Sequence, residues 1–96
     1  MLNQDQKRHL KGLSNQLENK YQIGKNGVTA NTILLINNAL EAHELIKIFV
    51  LKAADKEINE IAFDVASGTN SEIVQIVGRV ITLYRRSKKV GIKHVL

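Results

Sequence analysis

The sequence predicts an α/β (α+β) domain, compact and single, in which three helices pack on a small four-stranded mixed sheet in the order α-β-α-β-α-β-β. Three observations carry that expectation. Segments with apolar residues every three or four positions alternate with short β-branched runs. The joints between them are short, built on Gly and Asn, and the chain contains no proline. With 96 residues, 44% of them apolar, one core can form and bury roughly two-thirds of the surface the unfolded chain exposes.

The first helix runs from an Asn3 cap to about Leu17, with Gln6 placed as capping-box partner and Leu10, Leu13 and Leu17 toward the core. Lys7 and Lys11 lie one turn apart beside that stripe and Arg8 lies further round, so the helix has a basic shoulder. A short strand follows at Tyr21-Gln22-Ile23. Gly24-Lys25-Asn26-Gly27 reads as a turn, and Thr29 as the N-cap of a second helix over about residues 30–42. Val28 and Ile33 fit a hydrophobic staple around that cap. Ile33, Ile36 and Leu40 form the expected buried stripe, with Leu34 beside it.

Residues 44–52 are nearly all apolar, as expected of a strand inside a sheet. Ile46, Ile48 and Val50 share one face, and Leu45, Lys47, Phe49 and Leu51 the other. Asp55 is the expected cap of a third helix whose Ile58, Ile61, Ala62 and Val65 turn inward, with Gly68 as its left-handed stop. The β-branched runs 73–77 and 80–85 flank Gly78-Arg79, a two-residue joint that suits a type II′ hairpin.

Charge is segregated along the chain. Residues 1–40 carry +3, residues 41–72 carry −4 and residues 73–96 carry +6, for a net +5. Such basic ends point to a polyanionic partner. Two Tyr, two Phe and no Trp argue against a surface dominated by stacking of bases on aromatic rings. The absence of cysteine excludes disulfides and thiolate chemistry. The longest apolar runs are four residues, too short for a signal core or a membrane span, and a cytoplasmic location is expected. His9, His43 and His94 lack ligand spacing, and no serine sits in a nucleophile elbow. Glu57, Glu60 and Asp64 follow one helical face, as a solvated stripe does. Neither catalysis nor a cofactor or metal is expected.

Two features carry binding chemistry. The Gly24-Lys25-Asn26-Gly27 turn lets backbone approach a ligand closely, and it feeds a helix N-terminus whose amides and dipole favour an anion such as phosphate. Lys25 adds a full charge and Asn26 a donor. A Gly-x-x-Gly turn is also how KH modules clamp a nucleic-acid backbone, whereas the nucleotide-binding P-loop spacing is missing. The second feature is the basic end: Arg79 at the hairpin turn, Arg85 and Arg86 after the last strand, and a basic tail over about residues 87–96.

Taken together these segments resemble the YhbY/CRM family. Lys7-Arg8 with Leu10-Lys11-Gly12-Leu13, then Ile23-Gly24-Lys25-Asn26-Gly27-Val28-Thr29, are similar to its opening. Ala39-Leu40-Glu41-Ala42-His43-Glu44-Leu45-Ile46-Lys47, Val74-Gln75-Ile76-Val77-Gly78-Arg79 and Leu83-Tyr84-Arg85-Arg86 are similar to its middle and closing signatures. The likeness covers about residues 2–88, and the chain beyond Lys89 follows no strong family pattern. The resemblance implies an RNA-binding domain like the C-terminal domain of bacterial translation initiation factor three. Single-domain bacterial members are associated with precursors of the large ribosomal subunit, and plant members with organellar intron splicing. It further implies RNA contacts at Gly24, Lys25, Asn26 and Gly27 and on the surrounding basic surface.

The expectation is therefore a monomeric, non-enzymatic RNA-binding protein that assists large-subunit assembly. Its partner would be ribosomal RNA in precursor particles, with no membrane and no small-molecule substrate. The loop would hold a phosphate while Lys7, Arg8, Lys11, Arg79, Arg85 and Arg86 track the backbone. Two rivals are a protein-interaction module docking a ribosomal protein or assembly factor through the acidic third helix, and a nonspecific DNA-binding protein.

Overall fold

The computed structural model describes residues 2–54 and 56–96. Its elements follow the expected order: α1 (Gln4–Ser14), β1 (Tyr21–Ile23), α2 (Ala30–His43), β2 (Leu45–Val50), α3 (Ile58–Thr69), β3 (Glu72–Val77) and β4 (Val80–Tyr84). The sheet order is β1-β2-β4-β3. β1 and β2 pair in parallel across the α2 crossover, and the remaining pairs are antiparallel.

Strand alternation sorts the sheet into two faces. Ile23, Ile46, Ile48, Val50, Ile81 and Leu83 pack with Ile36, Leu40, Ile61 and Val65 of α2 and α3 in the main core. On the opposite face Leu10 of α1 sits on Leu45, Val74 and Tyr84. A register shift between Ile73 and Gln75 turns two consecutive residues of β3 toward α1: Val74 joins the Leu10 cluster, and Gln75 Nε2 donates to Ser14 Oγ at 3.3 Å.

The caps explain where the helices begin. Asn3 and Gln6 form the reciprocal capping box, and Thr29 Oγ1 accepts from Thr32 N–H. α1 stops three residues short of Leu17, which is exposed. Ser14 Oγ donates to the Lys11 carbonyl, a local bond that competes with helix continuation. On α2, Leu34, expected beside the buried stripe, points outward at 60% exposure, and Ala39 is buried with Ile36 and Leu40 instead. Leu34 lies two residues from Ile36, far round the helix from the buried face.

The expected cap of α3, Asp55, lies outside the described residues; the helix begins after Glu57, which makes no side-chain cap bond. Its left-handed stop is Asn70 (φ 52°), and Gly68 is helical. Gly68 serves packing instead: a Cβ there would lie 2.5 Å from Ile33 Cδ1, so its hydrogen lets α2 and α3 approach. Gly78 takes the positive φ of 57° that the first central position of a II′ turn requires.

Topology gives the sheet two distinct ends. The C-terminal ends of β1 and β2 and the β3–β4 turn lie at one end. The α2–β2 junction and the Tyr84–Arg86 exit from β4 lie at the other.

Candidate nucleic-acid interface

Gly24 leaves β1 at the first of these ends, and Gly27 N–H donates to Gly24 C=O at 3.0 Å, closing a four-residue turn. The positive φ falls on Gly27 (67°), the last position of the turn, while Lys25 and Asn26 keep ordinary backbone angles. Both of these side chains are exposed at the tip. Thr32 Oγ1 reaches back 3.4 Å to Gly27 C=O, and Thr29 caps α2 immediately afterwards. No acidic residue occupies the first turn of α2, so the positive end of its dipole is not neutralised from within the helix. A Cβ on Gly24 would meet only Leu51 Cδ1, at an ordinary 3.6 Å, so the fold has room for a side chain there.

The turn forms one wall of a cleft of about 240 Å³ lined by Lys25, Asn26, Gly27, Val28, Lys56, Ile61 and Asp64. The opposite wall is the start of α3, where Lys56 Nζ lies 3.2 Å from Asp64 Oδ2. A carboxylate beside an anion site opposes anion binding, and Lys56 offsets that charge. Sequence reasoning assigned Asp64 to a solvated stripe and left Lys56 unremarked. The two are eight residues apart, across the α3 start, and only the folded start of the helix brings them together.

The basic residues predicted for the site divide into separate groups. Arg79 lies at the loop end of the sheet, but its guanidinium donates to the carbonyls of Val50 (Nε, 2.7 Å) and Leu51 (Nη2, 2.8 Å). It holds the end of β2 in place. Arg85 is bound more deeply. Its Nη1 donates to Asn37 Oδ1 and Thr69 C=O, both at 2.6 Å, and its Nη2 to Asn37 C=O at 3.2 Å and Glu41 Oε2 at 3.3 Å. Arg85 thus braces α2, the end of α3 and β4 together, and the expected free guanidinium is replaced by an internal one in both cases. Arg86 is exposed at the far end of the sheet from the loop. Lys7, Arg8 and Lys11 lie on α1, across the sheet from α2 and α3; Arg8 pairs with Asp5 at 3.4 Å.

The far end holds the other group that periodicity could not show. Glu44 is fully buried at the C-cap of α2, with φ 65°. Its carboxylate accepts the Ser87 N–H (2.6 Å) and the Val95 N–H (2.8 Å), and His94 Nδ1 lies 2.6 Å from it. Burial raises the Glu44 pKa, but the hydrogen bonds from Ser87, His94 and Val95 outweigh it and hold the carboxyl below its ordinary value. Burial also pushes the nearby Tyr84 hydroxyl up, with the Glu44 charge adding to it and Arg86 opposing.

Among the described residues, no group of three or more His, Asp or Glu side chains is placed to hold a metal, and no helix is long and apolar enough to cross a membrane.

Comparison with known proteins places this arrangement. The chain is 42% identical over 89 residues to the probable RNA-binding protein YqeI of Bacillus subtilis, covering 93% of each chain. It is 37% identical over 93 residues to an RNA-binding protein of Haemophilus influenzae, covering 96% of this chain and 93% of that one. The fold superposes on the solution structure of the hypothetical protein SAV1595 from Staphylococcus aureus with a TM-score of 0.78, at 40% identity and with 94% of each chain covered. The family model of the CRS1 / YhbY (CRM) domain matches residues 2–85, and the chain belongs to that family.

Proposed function

We propose that this protein binds RNA without catalysing a reaction, gripping the backbone at the Gly24–Gly27 turn, and that it associates with precursors of the large ribosomal subunit to assist their assembly. One observation carries the first part. A glycine-flanked turn presents Lys25 and Asn26 at its tip and leads into an acid-free, Thr29-capped helix start. Backbone amides, a helix dipole and a lysine then converge where a phosphate can sit. Relatives named as RNA-binding support RNA as the polyanion. The resemblance to ribosome-associated bacterial members supports the second part.

Such contacts hold the backbone and read no base edges, so recognition rests on RNA shape. Arg79 and Arg85 serve by fixing the frame, while Lys25, Lys7, Lys11 and Arg86 supply mobile charge. The test of the ribosomal part is the position of the protein in a sucrose gradient of cell extract at low and at raised salt. Cosedimentation with particles near the large subunit, weakened by salt and abolished by RNase, is expected. Residence at the top of the gradient under both conditions overturns it.

A further inference from the structure

The +6 carried by residues 73–96 has one part turned inward, at Arg79 and Arg85, and one part turned outward. The outward part is not a loose tail. Ser87 and Val95 both donate their backbone N–H to the same buried carboxylate, that of Glu44, so residues 87–95 form a loop closed at its base. The first limb is fixed again by Ser87 Oγ, which donates to Glu41 C=O at 2.7 Å and accepts the Lys89 N–H at 3.0 Å. Gly91, at φ 85°, turns the chain at the tip. Lys88, Lys89 and Lys93 project from this loop, all exposed, and Arg86 is exposed at its foot.

No acidic residue occurs from 86 to 96. Of the carboxylates at this end, Glu44 is fully buried beneath its hydrogen bonds, Glu41 is engaged by Arg85 and the Lys88 N–H, and Glu72 lies beside Arg86 at the foot, away from the three lysines. Compact loops with adjoining ends are frequent carriers of function, and a loop already ordered loses little entropy on binding. The position matters as much as the charge. The loop springs from the N-terminal end of β2, whereas the Gly24–Gly27 turn adjoins its C-terminal end. Six residues of strand put the two about 17–20 Å apart.

We propose that the loop of residues 87–95 is a second RNA-backbone contact, separate from the Gly24–Gly27 turn, so that the domain engages RNA at two points along the sheet. This rests on RNA being the ligand and on the Gly24–Gly27 turn being the contact that a short RNA prefers. Two contacts on one rigid body raise affinity only for an RNA long enough to reach both.

The test uses the full chain with Lys88, Lys89 and Lys93 each changed to Gln, beside a second variant, Lys25→Asp with Asn26→Asp. Each is titrated with uridine oligomers of about 2–3 and about 16 nucleotides, the shorter unable to bridge the two contacts at about 3.4 Å per stacked nucleotide. The exposed lysine changes leave the circular dichroism spectrum and melting temperature at wild-type values. On the long oligomer they lower affinity about ten-fold and reduce the log–log salt slope by about 2, at about 0.7 for each lost single-strand phosphate contact. On the short oligomer, bound at the Gly24–Gly27 turn, they change affinity by less than about two-fold.

In the unmodified protein, amide resonances of residues 88–93 shift on adding the long oligomer. Wild-type affinity for both lengths, or unmoved amides at 88–93, overturns the second contact while leaving RNA binding intact. Equal losses on short and long oligomers overturn the separation into two points. A wild-type chain that binds neither oligomer removes the underlying RNA reading, and this proposal with it.

Discussion

Replacing Glu44 with alanine perturbs a carboxylate that is fully buried, the one such group among the described residues, and the structure sets the size of the effect. Two backbone donors, Ser87 N–H and Val95 N–H, lose their acceptor, and His94 Nδ1 loses its partner 2.6 Å away. A hydrogen bond to a charged group is worth about 1.5–3 kcal/mol, and the Ser87 and Val95 amides lose two such bonds. Residues 87–95 can partly rehydrate once released, so the lower end, about 3 kcal/mol, is expected. In a domain of this size that lowers the melting temperature by about 12–24 °C. Alanine keeps the positive φ at this position, so no relief of backbone strain offsets the loss.

The assay is urea unfolding combined with amide hydrogen exchange. Exchange at Ser87 and Val95 accelerates in the variant beyond what its global stability explains. The pH dependence supplies a sign. Because the native carboxyl is held below its ordinary value of 4.5, its contribution is present above that value and is lost as pH falls through the native one. The stability gap between wild type and variant is therefore widest near neutrality and closes in acid. A loss under about 1 kcal/mol, with unchanged exchange at Ser87 and Val95, refutes the anchoring role of Glu44.

Other outcomes follow from particular contacts. Arg79→Ala removes two hydrogen bonds to the end of β2 and is expected to cost about 2–3 kcal/mol in urea unfolding, with RNA affinity of the folded protein near wild type. Arg85→Lys keeps the charge but loses the planar fork that reaches Asn37, Thr69 and Glu41, so it destabilises by about 2 kcal/mol where a surface substitution would be silent. Gly68→Ala forces the Ile33 side chain to move, which offsets the gain of about 1 kcal/mol that alanine brings inside a helix, so the net change is small; in an Ile33→Val background, which removes the clashing Cδ1, the same change stabilises by about 1 kcal/mol, and a double-mutant cycle in urea reads the coupling. Asp64→Asn removes the carboxylate facing the Gly24–Gly27 turn and frees Lys56, which strengthens RNA binding about two- to five-fold in a fluorescence titration at low salt.

Elements with local causes were legible in the sequence. The Asn3–Gln6 capping box, the Thr29 cap and the Gly78-Arg79 turn are each contained within a few residues, and each forms where the residues direct. The two faces of β2 were legible too, because strand alternation is a local rule. Roles decided by long-range contact were not. Gly68 reads as a helix stop until Ile33 is seen against it, and Asn70, which tolerates left-handed angles, takes the stop instead. Arg79 and Arg85 read as free cations because nothing in their neighbourhood in sequence announces the carbonyls of residues 50, 51 and 69. Glu44 reads as one more charge in an acidic stretch, although its partners lie more than forty residues on. The Gly24–Gly27 turn was legible as a turn at a helix start, but Lys56 and Asp64 across its cleft were not.

The most direct test of the central claim is the affinity of the full chain for single-stranded RNA across a salt series, compared with the Lys25→Asp, Asn26→Asp double variant at matched stability. Salt-sensitive binding by the wild-type chain, with a loss of ten-fold or more and a shallower salt slope in the variant, is the predicted result. A folded variant that binds RNA as the wild type does contradicts the assignment of the Gly24–Gly27 turn as the backbone grip.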